Sequence, residues 1–122
     1  MKNESVVIWL DDERNPFDKI WSKYISDRIG GASSIVWAKN RSQFEYEFLK
    51  HIGSIKAVFF DNDLGSLEKG QEGKDCFSWM ETHIRENDLK SSFFDIFIQS
   101  SNGSAKQSMM LGIESLYKYW FR

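Results

Sequence analysis

Two short acidic stretches follow apolar runs. Asp11-Asp12-Glu13 comes directly after Val6-Val7-Ile8-Trp9-Leu10, and Asp61-Asn62-Asp63-Leu64-Gly65 after Ala57-Val58-Phe59-Phe60. A third run, Ile96-Phe97-Ile98, leads into Gln99-Ser100-Ser101-Asn102-Gly103, which offers amides and hydroxyls. If the three ends converge, Asp11, Asp12, Asp61 and Asp63 share one pocket. Carboxylates so close repel, and each loses part of its hydration. A divalent hard cation would relieve that, as would a basic side chain or a proton on one of the acids. Mg²⁺ suits such a set because it takes oxygen ligands, keeps waters and needs few protein groups. A plainer reading has Asp11 or Asp12 capping the following helix and Asp63 closing an Asx turn before Gly65. It accounts for one or two of the acids but not for four on two converging ends.

Other chemistries find little support. No Cys/His cluster offers a zinc site. His51 and His83 fall in helical stretches away from these ends, and no Ser-His-Asp arrangement is evident. Gly73-Lys74 is followed by Asp75, so Gly70 and Gly73 do not make a phosphate-binding loop. Cys76 is the one cysteine; it cannot form an internal disulfide and reads as a small buried residue on a helix face. The net charge of −2 provides no general basic field for nucleic acid, so such contact would be local. Lys39, Arg41, Lys56 and Lys118 are scattered and read as solvated. The N-terminus lacks a signal-peptide pattern, and no apolar stretch approaches the roughly 20 residues that span a bilayer. The expectation is a cytoplasmic protein with no membrane contact.

The elements that must position these residues alternate in kind. Val6–Leu10, Ile35–Trp37, Ala57–Phe60 and Ile96–Ile98 are continuous apolar runs, the pattern of strands buried on both faces. Between them lie helical spacings. Phe17, Ile20, Trp21, Tyr24, Ile25 and Ile29 make one stripe, with Asn15 as cap, Pro16 in the first turn and Gly30-Gly31 as the stop. Ser42-Gln43-Phe44-Glu45 reads as a capping box opening a second helix, with Phe44, Phe48, Leu49 and Ile52 on its apolar face and Gly53 ending it. A third helix follows Gly73 and carries Phe77, Met80 and Ile84. A fourth starts near Ser104 and carries Ala105, Met109, Ile113, Leu116 and Trp120. The order βαβαβαβα predicts an α/β fold, a parallel sheet with helices on both faces. The polar segment from Gly65 to Gly73 reads as a loop over the carboxyl end of the sheet, where ligands bind in such folds. The 122 residues suit a single domain, 1–122, with five Trp and ten Phe supplying much of its core.

Taken in order, Leu10-Asp11-Asp12-Glu13-Arg14-x-Pro16, Phe60-Asp61-Asn62-Asp63-Leu64-Gly65, Gly73-x-Asp75 and Ser100-Ser101-Asn102, with Ala105 and Met109 beyond, resemble the cyclic-phosphate processing receiver domain. This family is a divergent relative of response-regulator receiver domains, and the likeness spans nearly the whole chain. It implies a three-layer, flavodoxin-like sheet of about four strands in the order 2-1-3-4. It also implies Mg²⁺ or Mn²⁺ held at Asp11, Asp12, Asp61 and Asp63. Asp61 falls at the receiver phospho-acceptor position and Ser100 at the hydroxyl position. The implied activity is metal-dependent processing of cyclic phosphate, on a phosphate-bearing nucleotide or an RNA end. Asp61 and Asp63 would then be the catalytic residues, and Asn62, Gln99, Ser100 and Asn102 would orient the substrate.

The family pattern has histidine between the two aspartates and before the serine; here Asn62 and Gln99 stand at those places. Amides hydrogen-bond a phosphate but do not act as acid or base near neutral pH. The alternative is therefore a non-catalytic receiver-like module that binds a protein or nucleotide partner. Ordinary phosphorelay ranks last, because the receiver lysine after a fifth strand has no clear counterpart.

Overall fold

The computed structural model describes residues 5–30, 33–100 and 102–122. Its elements run β1 (Val6–Leu10), α1 (Lys19–Ile29), β2 (Ser34–Ala38), α2 (Arg41–His51), β3 (Ile55–Phe60), α3 (Gly73–Glu86), β4 (Asp95–Ile98) and α4 (Gly103–Trp120). The strands form one sheet in the order β2-β1-β3-β4, and every adjacent pair is parallel. The alternation of elements predicts the parallel α/β sheet, and the family resemblance implies its receiver-like, flavodoxin-like order; the structure has both.

The pleat sends alternate side chains to opposite faces. Ile8, Leu10, Val58 and Phe60 face the larger core, where Phe44 and Phe48 of α2, Met80 and Ile84 of α3, and Met109 and Leu116 of α4 meet them. Val7, Trp9, Ala57 and Phe59 face the smaller one, covered by Ile25, Trp21 and Tyr24 of α1. Burial on both faces explains why β1 and β3 read as unbroken apolar runs, whereas the edge strands β2 and β4 are only partly buried. Cys76 is fully buried in the larger core, and burial pushes its thiol up to about 12, so it remains a thiol.

Helix starts differ from expectation in two places. Asn15 does not cap α1. Its side chain accepts the Phe17 N–H at 2.8 Å in a local turn, and the helix begins only after Asp18. Phe17 and Ile20 consequently lie outside the packed stripe, 62% and 75% exposed. The second helix starts at Arg41, ahead of the Ser42 box. Asn40 accepts the Gln43 N–H at 2.9 Å, while the Gln43 side chain accepts the Lys39 N–H. Leu49 is half-exposed rather than part of the apolar face. Gly30 does end α1, at a φ of 70° that suits glycine, whereas Gly31 lies outside the described residues, as do residues 1–4 and Ser101. Among the described residues no helix is long and apolar enough to cross a membrane.

Candidate functional site

The parallel ladder runs one residue past β1, β3 and β4, and this builds the site. Asp11 N–H donates to Ala38 O, Asp61 N–H to Leu10 O, and Gln99 N–H to Phe60 O. Asp11, Asp61 and Gln99 therefore stand in one row at the carboxyl end of the sheet. Pleat parity turns Asp11 and Asp61 to the same side, because the residues before them, Leu10 and Phe60, both face the larger core. Oxygens of Asp11, Asp12 and Asp61 all lie within 4.8 Å of one another. Asp63 stands outside this group with an exposed side chain.

Two indoles hold the acidic loop in place. Trp37 donates its Nε1–H to Asp11 O at 2.7 Å, and Trp9 donates to Arg14 O at 2.8 Å. The fully buried Asp11 carboxylate accepts the N–H groups of Glu13 and Arg14, both at 2.9 Å, through Oδ1. Its other oxygen pairs with the Arg14 guanidinium at 3.0 Å, and the same Nη1 lies 3.7 Å from Asp61 Oδ1. Arg14 thus supplies part of the neutralisation that the acids need, while its guanidinium sits 5.3 Å from the Trp21 ring centroid. Asp11 does not cap α1, which begins only after Asp18; it closes a local turn at Glu13 and Arg14 and also belongs to the acidic trio.

Asp61 remains under-compensated. Burial, with the neighbouring Asp11 charge added, outweighs Arg14 and lifts its carboxyl from 3.8 to about 6. A site of three oxygen-donor side chains, one of them costly to ionise alone, fits a hard divalent cation, and Asp11, Asp12 and Asp61 could hold one. Gly65 makes room on one side. Its φ is 73°, and a Cβ there would come within 2.8 Å of Asp12 Oδ2. The loop that carries it is tied to α2 by Arg41, which donates to Gly70 O at 2.7 Å and pairs with Glu45. Arg41 is therefore a loop anchor and not a merely solvated charge.

The polar residues around the acids also have structural duties. Asn62 is buried, and its Oδ1 accepts the Lys74 N–H at 3.0 Å. Asn102 caps α4 by accepting the Ala105 N–H at 3.1 Å. The buried Ser100 accepts the Asn102 N–H through its hydroxyl oxygen. Gln99 donates to Leu10 O at 3.3 Å, and its buried Oε1 has no hydrogen-bond partner among the described residues. That leaves Gln99 Oε1 as an unpaired buried acceptor in the row. His51 and His83 lie on α2 and α3, and His83 stacks on Trp79.

Arg14 is the site residue to which sequence reasoning gave no role. The signal was present: an arginine three residues after Asp11, in a turn closed by that same aspartate. The two indole anchors were read only as core, since nothing in their spacing distinguishes a tryptophan that packs from one that also donates a hydrogen bond.

A parallel α/β sheet with carboxylates gathered at the ends of its two central strands defines a receiver-like domain. The chain belongs to the cyclic-phosphate processing receiver domain family, whose pattern matches residues 6–115. No curated protein and no solved structure matches it.

Proposed function

We propose that the chain processes cyclic phosphates at the Asp11-Asp12-Asp61 pocket in dependence on Mg²⁺ or Mn²⁺, with cyclic-phosphate nucleotides or RNA ends as the substrate class. The observation that carries this reading is the cluster of three carboxylates, their oxygens within 4.8 Å, in a chain of this family. A divalent cation held there supplies neutralising charge and Lewis acidity toward a phosphate oxygen. The chain's own residues do the remainder. Asp61 is assigned as the carboxylate that takes a proton from the water that attacks phosphorus. The phosphorus–oxygen bond to one ring oxygen breaks, that oxygen takes up a proton, and a phosphate monoester is left. Asp63, exposed beside the pocket, is the second carboxylate available for proton transfer. Arg14 is the cation at the pocket and is assigned to the phosphate oxygens. Gln99 Oε1 accepts from a substrate hydroxyl, Ser100 donates to the phosphate, and Asn62 and Asn102 contribute their amide N–H groups. The same reading takes 1–122 as one cytoplasmic domain.

The test is turnover of a 2′,3′-cyclic nucleotide with Mn²⁺ and with chelator. Ring opening is expected only with metal, and activity that persists in chelator would overturn the reading. Calorimetry should find Mn²⁺ binding several-fold weaker at pH 5 than at pH 7.5, because protons compete for Asp61 below about 6. Equal affinity at the two pH values would remove Asp61 from the ligand set.

One observation favours the second reading, a binding module without catalysis. Asn62, at the family's histidine position, commits its oxygen to the start of α3 and has no acid–base capacity. Wild type that binds a cyclic nucleotide without opening it, alongside an Asn62→His variant that opens it, would decide for that module.

A further inference from the structure

An apolar opening lies away from the acidic pocket. β4 ends the sheet, and a cavity of about 850 Å³ runs between its outer edge and α4. Ile96, Ile98 and Met110 are among the residues that line it. In a parallel ladder each residue turns both backbone groups to one side. Gln99 N–H points to β3, so those of Ile96 and Ile98 point outward. Tyr117 meets the Ile96 N–H with its hydroxyl at 3.4 Å, and α4 leaves Met110 and Leu111 53% and 68% exposed beside this edge. Among the described residues no strand pairs with this edge of β4, and exposed apolar side chains lie beside it, the kind of surface a partner covers.

We propose that the partner is a second copy of this chain, related by a two-fold axis at Met110. The charges on α4 carry the choice. Lys106, Met110 and Glu114 lie four residues apart along one ridge, and all three line the groove. Among the described residues, neither Lys106 nor Glu114 has an ion-pair partner. Two antiparallel copies of α4 place residues equally distant from Met110 opposite one another. Lys106 then meets the partner's Glu114, and Glu114 meets the partner's Lys106, while the Met110 side chains meet at the axis. An isologous contact needs this self-complementarity. A partner with a single sign of charge would leave one of the two unpaired.

Sedimentation velocity on the 122-residue chain should show a concentration-dependent monomer–dimer equilibrium. Met110→Asp, at an exposed position, should abolish the dimer and leave the circular dichroism spectrum unchanged. Lys106→Glu and Glu114→Lys should each weaken dimerisation roughly tenfold, since each turns two attractive contacts into two repulsive ones. Mixed in equal amounts, these two variants should recover a heterodimer, because both cross-pairs become attractive again. A wild type that stays monomeric would overturn the proposal, with the groove left to a different chain. So would a dimer indifferent to Met110→Asp, or a mixture of the charge variants that fails to pair. Cyclic-phosphate turnover plays no part in these outcomes.

Discussion

Asp61→Asn is expected to stabilise the metal-free protein by up to ~3 kcal/mol at pH 7 and to slow cyclic-phosphate turnover by roughly 10²-fold or more. The stability effect follows from linkage. The Asp61 carboxyl lies at about 6 in the folded chain against an ordinary value of 3.8. Between those values the folded state holds a proton that the unfolded state has released. Folding stability therefore falls as pH rises through that window and stays reduced above it. Asparagine has the same shape and no charge to desolvate, so the variant escapes the loss. Arg14 keeps its closer partner, Asp11 at 3.0 Å, and gives up only the 3.7 Å contact. Urea titrations in chelator at pH 7.5 and pH 4 check this, and the gain should vanish at pH 4, where wild-type Asp61 is protonated. A variant less stable than wild type at pH 7.5, or equally improved at both pH values, would show that Asp61 carries no such burden. In the same titrations, added Mn²⁺ should stabilise wild type more than the variant, because ligand binding adds to stability only where the ligand set is intact. Opposite signs for stability and activity at one residue mark a group kept for chemistry rather than for folding.

The sheet was legible because burial on both faces leaves a signal that needs no partner to be read. Val6–Leu10 and Ala57–Phe60 are apolar without interruption, and the acids after them break the pattern sharply. Once strands of that kind are parallel and adjacent, Asp11 and Asp61 must share a row, so the trio at the sheet end followed from the order of elements. What stayed hidden was decided by small differences or by distant contacts. Asn15 and Asn40 are both good caps followed by plausible helical residues. Only the second heads a helix, because α2 has Phe44 and Phe48 to bury from its first turn, whereas Phe17 and Ile20 have nothing to meet. Asp63 looks like Asp61 in the sequence, yet it lies beyond the last ladder bond and turns to solvent. Arg14 gained its place from a turn that no periodicity reveals. Gly73 read as an ordinary helix start, although tertiary packing makes it the tightest backbone contact at the site.

Gly73→Ala is expected to destabilise the protein by ~3 kcal/mol or more and to disorder the acidic pocket with it. A Cβ at this position would lie 1.8 Å from Asp61 O, 2.7 Å from Asp61 C and 2.8 Å from Asn62 Cα. All three are backbone atoms, so no side chain can swing aside. Either α3 must back away from the end of β3, or Asp61 must leave the ladder. The first choice strains the Gly73 N–H bond to Asn62 O at 2.8 Å and the Lys74 N–H bond to Asn62 Oδ1 at 3.0 Å. It would leave buried polar groups unpaired at a helix start. The second choice breaks the Asp61 N–H bond to Leu10 O that sets the carboxylate beside Asp11. Two other glycines calibrate the effect. A Cβ on Gly112 meets the Phe77 ring at 2.4 Å, a side chain that can shift, so Gly112→Ala should cost less. At Gly103 a Cβ meets nothing within 4 Å, so Gly103→Ala should stay within about 0.5 kcal/mol of wild type. Urea midpoints for the three variants should fall in the order Gly103→Ala, Gly112→Ala, Gly73→Ala, from most to least stable, with Mn²⁺ binding lost in the last. A Gly73→Ala protein as stable as Gly103→Ala would mean that α3 does not seat on the end of β3, and the positioning of Asp61 would need another cause.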